Sequence, residues 1–113
     1  VFYLAGLIGK EIGMEIKEVS VAGTLESGDV EITLYPNPGK GIKIELESDV
    51  RLQFGGAIER AVREELSRFS VEDACVRLVD KGALDCVIRA RLACAVCRSA
   101  GVRYDWGKED DGR

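Results

Sequence analysis

Histidine is missing altogether from the 113 residues. Its absence removes the commonest general base and the commonest metal ligand. No Ser-His or Cys-His nucleophilic pair can form within the chain. Long hydrophobic runs are missing as well. The apolar stretch at residues 2–8 is far too short to span a bilayer. No positive region precedes it and no convincing small-residue cleavage site follows, so it does not read as a secretory signal. Basic charge is in the minority, with 16 Lys and Arg against 20 Asp and Glu. The resulting net charge of −4 argues against binding nucleic acid or an anionic membrane, both of which need basic surface. It suits docking on basic partner surfaces. Cysteine is sparse: Cys75, Cys86, Cys94 and Cys97, three of them in one helical stretch. Without a secretory signal they read as reduced thiols of a cytoplasmic protein.

What is present describes a single soluble domain. The chain is 46% hydrophobic and 32% charged, and at this length its core needs no disulfide or metal. Residues 19–35, VSVAGTLESGDVEITLY, organise the rest. Val19 and Val21 alternate, Glu26-Ser27-Gly28-Asp29 turns the chain, and Val30, Ile32 and Leu34 resume the alternation. A Ser-Gly pair between two period-2 runs predicts a β-hairpin, with Ser27 at its tip and its hydroxyl in water. On the residues alone a serine there is ordinarily a turn former. It is also a group that another enzyme can reach.

The remaining elements follow in order. Residues 1–13 do not fit the pattern of the domain, which begins just after Met14. They read as a non-native or disordered upstream extension, with Met14 as the expected start, in preference to a terminal segment packed on the domain, since unanchored termini are commonly dispensable. Residues 16–24 and 29–35 are the first two strands, and Pro36-Asn37-Pro38-Gly39 is a turn. Ile42, Ile44 and Leu46 alternate with Lys43, Glu45 and Glu47, which predicts a third strand with a solvated face. Three consecutive antiparallel strands are implied. Ser48 or Asp49 is placed to cap a helix running to Phe69, with Phe54, Ile58, Val62, Leu66 and Phe69 on one apolar stripe. Gly55-Gly56 weakens its first turns by about 1 kcal/mol each relative to alanine. Residues 74–79 form a fourth strand and Asp80-Lys81-Gly82 a turn. A second helix over residues 83–99 buries Leu84, Ile88, Leu92, Ala95 and Val96, with Asp85 near its start and Gly101 at its end. Residues 106–113 are a charged tail, leaving 14–105 as the domain. The order β-β-β-α-β-α with two amphipathic helices predicts an α+β two-layer sandwich, an antiparallel-rich sheet with both helices on one face.

No constellation for self-contained catalysis emerges. Cys94 and Cys97 form a C-x-x-C and share a helix face, but they lie near the helix C-terminus, where the dipole raises a thiol pKa. A zinc site needs two further ligands, and Cys75 and Cys86 make no second C-x-x-C, so buried thiols are the simpler reading. Arg89, Arg91, Arg98 and Arg103 could form a basic patch, although such a set is usually a solvated helix face. Glu31, Glu45 and Glu47 are strand-face carboxylates that nothing pairs.

Two blocks, Val21-Ala-Gly-Thr-Leu-Glu-Ser-Gly-Asp-Val30 and Asp80-Lys-Gly-Ala-Leu-Asp-Cys86 continuing to Leu92, closely resemble the citrate lyase acyl carrier proteins, the gamma chains of that complex. Gln53-Phe54-Gly55 and Ala57-Ile58 resemble the family too, and the resemblance spans residues 14–99. It implies that Ser27 carries 2'-(5''-phosphoribosyl)-3'-dephospho-CoA through a phosphodiester bond, with the arm's terminal thiol acetylated in the active complex. It implies an alpha chain that exchanges acetyl for citryl and a beta chain that cleaves the citryl thioester to oxaloacetate. A prosthetic-group transferase and an acetate ligase complete the implied partners. It further implies a non-catalytic carrier. The ligand count gives no metal site, and a serine on a hairpin differs from the helix-start serine of the fatty-acid carriers, so no four-helix bundle is expected. The malonate decarboxylase carrier is similar around the Ser-Gly-Asp turn, but Lys81-Gly82-Ala83-Leu84-Asp85 favours citrate lyase. A citramalate lyase carrier and an unmodified scaffold subunit are the other readings.

Overall fold

The computed structural model of the chain describes residues 14–48 and 51–101, the first three of the latter by backbone alone. The N-terminal segment 1–13, Asp49 as a cap, Arg103 and the charged tail lie outside the described residues. Six elements follow one another: β1 (Ser20–Gly23), β2 (Val30–Tyr35), β3 (Ile42–Ser48), α1 (Arg51–Arg68), β4 (Ala74–Asp80) and α2 (Asp85–Ala100). This is the expected β-β-β-α-β-α order in an α+β sandwich.

The sheet order is β1-β2-β4-β3, with β1 and β4 each antiparallel to β2, and β3 parallel to β4. The expectation of three consecutive antiparallel strands is therefore corrected. β4 inserts between β2 and β3, and α1 is the crossover that parallel neighbours require. Burial explains the placement. Val30, Ile32 and Leu34 of β2 and Ala74, Val76 and Leu78 of β4 are completely buried, as central strands demand. Ile42, Ile44 and Leu46 of β3 are half-buried, and its outward Lys43, Glu45 and Glu47 are exposed. A charged strand of that kind suits an edge, where it blocks pairing with another chain.

Both helices cover one face, α2 over β1 and β2, and α1 against β3 and α2. Ile58, Val62 and Leu66 of α1 meet Ile88, Leu92 and Val96 of α2 in the common core. Each such side chain removed from water contributes about 1.5–3 kcal/mol. The stripe on α1 starts later than expected, since Phe54 is 54% exposed. Leu84 is not buried in α2 but precedes it and is 70% exposed. Phe54 lies in the first turn of α1 and Leu84 just before α2.

β1 is shorter than the predicted strand, and Val21 within it and Val19 just before it are exposed, whereas Ser20 and Ala22 are buried. Ser20 is buried without loss because its hydroxyl donates to the Ala95 carbonyl at 2.7 Å. Ser99 Oγ lies 2.7 Å from Ser20 Oγ and also 2.7 Å from the Glu18 carbonyl. Lys17 N–H donates to the Ser99 carbonyl, so the chain entering β1 is tied to the last turn of α2. Ser48 closes β3 and donates to buried Asp80 at 2.8 Å. Asp80 also accepts from the Ala83 N–H, which organises the turn into α2. Val30, Asp80 and Ser48 stand in register across β2, β4 and β3. At that end of the sheet the β1–β2 loop and both helix starts converge.

Candidate functional site

Ser27 sits exposed in the loop between β1 and β2. Asp29 N–H donates to the Glu26 carbonyl at 3.0 Å, closing a four-residue β-turn with Ser27 and Gly28 at its centre. Gly28 has φ of +84°, the positive value that a type II turn requires at this position. Glycine adopts it without a Cβ penalty. Among the described residues, no hydrogen bond engages the Ser27 hydroxyl.

The turn is exposed yet firmly held. Gly28 N–H donates to the Lys81 carbonyl at 2.7 Å, and Lys81 N–H returns to the Asp29 carbonyl at 2.9 Å. These bonds extend the β2–β4 ladder one step beyond the strands. The two sequence blocks that resemble one family, far apart in the chain, thus meet at the base of the serine turn.

Asp29 fastens the turn a second time. Its Oδ1 accepts from the Val30 N–H at 2.8 Å and from Arg91 Nε at 3.1 Å. Its Oδ2 accepts from the Thr24 hydroxyl at 2.7 Å and from Arg91 Nη2 at 2.9 Å. The carboxylate thereby fills its four acceptor directions, with Arg91 bound in the bidentate fork. Arg91 and Thr24, helped by the Val30 N–H, hold its pKa at about 2 against an opposing effect of burial. Ionised and saturated, Asp29 cannot serve as a base toward Ser27. Gly23 completes the clamp. A Cβ there would stand 1.8 Å from the Val30 carbonyl oxygen and 3.4 Å from Arg91 Cδ. Only glycine lets β1 end this close to β2 under the Arg91 side chain.

The arginines of α2 do not make the basic patch that their sequence spacing suggested. Arg89 bonds Glu64 and Asp85 and lies 3.6 Å from Glu65, Arg91 bonds Asp29, and Arg98 donates to the Val21 carbonyl. Each staples α2 to a different neighbour. Sequence reasoning missed Asp29 and Arg91 as a pair. The signal available was their presence in the two matching blocks. Cys97 is buried, and burial above all, then the neighbouring Cys94, raises its pKa, which makes it a poorer nucleophile. Cys86 is exposed on α2 and Cys75 lies on β4. Among the described residues, no cluster of three metal-ligating side chains occurs. No helix among them is long and apolar enough to cross a membrane.

The turn is thus a held platform that presents an unbonded hydroxyl to solvent. The fold of the protein is that of a chain in the crystal structure of a Pseudomonas malonate decarboxylase hetero-tetramer in complex with malonate. The likeness has a TM-score of 0.63 at 22% identity and covers 76% of this chain and 88% of that one. Residues 17–99 match the ACP family model, described as malonate decarboxylase delta subunit (MdcD). The chain is 52% identical to the citrate lyase acyl carrier protein of Streptococcus equi subsp. zooepidemicus, over 86% of this chain and 96% of that protein. It is 48% identical to the protein of that name from Streptococcus mutans over the same shares. The chain belongs to the citrate lyase acyl carrier protein family.

Proposed function

We propose that this chain is the acyl carrier subunit of citrate lyase and that Ser27 is its point of covalent loading. The observation that carries the reading is the free hydroxyl of Ser27, held in water on a turn that is bonded twice to Lys81 and clamped by Asp29 and Arg91. An O-linked phosphodiester needs an accessible hydroxyl on fixed backbone, and this site offers one. The group is 2'-(5''-phosphoribosyl)-3'-dephospho-CoA, and when bound it supplies a terminal thiol that holds acyl units.

Ser27 contributes its Oγ as the attacking atom. A serine hydroxyl is a weak nucleophile without a base. The chain has no histidine, and Asp29 is committed to Arg91. The base therefore comes from the prosthetic-group transferase, which takes the Ser27 proton as the Oγ–P bond forms and the donor's leaving group departs. The alpha chain as acyl transferase, the beta chain as lyase and an acetate ligase then act on the loaded carrier in the cytoplasm. The carrier itself is non-catalytic, because its partners provide the bases and oxyanion donors. Tethering keeps the thiol at an effective concentration on the order of millimolar near both active sites.

Intact mass and peptide mapping of the protein from its own source, under citrate-fermenting conditions, test the reading. The arm's mass is expected on the Ser27 peptide. Ser27→Ala is expected to fold normally and leave the complex without lyase activity. An unmodified Ser27 in an active complex would overturn the proposal in favour of a scaffold role.

A further inference from the structure

The helix-free face of the sheet carries a hollow that runs along β2 and β4 from the Ser27 end to Tyr35. Leu25 reaches from the β1–β2 loop, and with Thr33, Tyr35, Arg77, Val79 and Lys81 it lines this hollow of about 380 Å³. That volume falls within the range of small-molecule sites. Along β4 the outward positions are Arg77 and Val79, with Lys81 just past the strand end. A cation, an apolar residue and a second cation thus follow at alternate positions, which places the two cations roughly 13 Å apart on extended chain. Among the described residues, neither cation belongs to an ion pair. Glu31 and Glu47 also line the hollow and stand opposite Val79 on its two sides. The hollow is continuous with the serine turn. Its Lys81 bonds Gly28 through the backbone, and its Leu25 lies two residues before Ser27.

We propose that this hollow is the resting site of the group carried on Ser27. The inference rests on the carrier reading above. A nucleotide arm linked by a phosphodiester presents an anionic phosphate at its root, sugar hydroxyls next and further phosphates beyond. The hollow presents complementary chemistry in that order. Lys81 meets the root phosphate. The Glu31 and Glu47 carboxylates accept from the sugar hydroxyls. Arg77 takes the outer phosphates in its planar fork. Leu25 and Val79 supply an apolar floor for the base. Carboxylates would repel phosphate, so their place between the two cations sets the direction in which the arm lies. Held on an open surface by screened charges, the arm detaches readily when a partner subunit competes for it.

The test uses the full chain loaded by its transferase, with intact mass confirming the arm on Ser27 and amide NMR spectra compared with the unloaded chain. Shifts are expected at Thr33, Tyr35 and Val79 as well as at residues 26–29. The shifts at Thr33, Tyr35 and Val79 are expected to fall at least threefold at high salt. Arg77→Glu and, separately, Lys81→Glu are expected to remove them while the arm stays attached. Mass-verified loaded protein whose shifts stop at residues 26–29 overturns the docking alone. Failure to find the arm on Ser27 in an active complex overturns the carrier reading, and the docking with it.

Discussion

Replacing Asp29 by asparagine keeps the shape of the side chain and removes its charge. One amide group then faces four donors: the Val30 N–H, the Thr24 hydroxyl and two nitrogens of Arg91. The native carboxyl titrates at about 2 instead of 3.8. At about 1.4 kcal/mol per pKa unit, this difference amounts to roughly 2–3 kcal/mol of preference for the ionised form in the folded state. Asp29 has a side-chain exposure of only 14%, but Arg91 is 43% exposed. Solvent screening of that partner lowers the expected effect to about 1.5–2 kcal/mol. The sign follows from linkage. A carboxyl with a depressed folded pKa stabilises above its unfolded value, and the gain disappears as pH falls through the folded value. The stability gap between native protein and Asp29→Asn should therefore be full at pH 7. It should shrink between about pH 4 and pH 2. Urea unfolding of both proteins across this range measures it, and the other carboxylates cancel in the difference. A gap that is equally large at pH 7 and near pH 2 would refute the argument, because the loss would then be one of packing. A gap under about 0.5 kcal/mol at pH 7 would refute it too, by placing the pair among ordinary surface ion pairs.

Gly23→Ala should lose about 3 kcal/mol or more, through a left-handed backbone at φ +92° and a Cβ driven against the Val30 carbonyl, and a melting temperature within 2 °C of native would contradict the clamp. Ser70 occupies the left-handed position that ends α1, at φ +56°, with Val71 N–H bonded to the Leu66 carbonyl and Ser70 N–H to that of Ser67. Ser70→Gly should relieve about 1 kcal/mol of backbone strain, read as a higher denaturant midpoint at unchanged slope. Ser27→Ala should leave the unfolding free energy within about 0.5 kcal/mol of native, since the side chain is exposed and the turn is held by backbone bonds, Asp29 and Gly28.

Local pattern was enough to read the order of the elements and their division into two layers. Alternation at Val30, Ile32 and Leu34 and the helical spacing of Ile58, Val62 and Leu66 are consequences of backbone period, which neighbours in space do not alter. The exposed turn at Ser27 was legible for the same reason, because Ser-Gly-Asp between two strands has few other conformations open to it. The position of β3 was not legible. Its half-polar alternation fits either neighbour, and only competition for the buried centre sent the more apolar β4 between it and β2. The outward turn of Val19 and Val21 depended on Ser20 and Ser99 satisfying each other against α2. The clamp on the serine turn likewise belongs to tertiary structure. Asp29 and Arg91 are 62 residues apart, and each alone reads as a solvated charge. Hydrophobic periodicity is a property of a segment, whereas a bidentate ion pair exists only once two segments have been brought within hydrogen-bonding distance of each other.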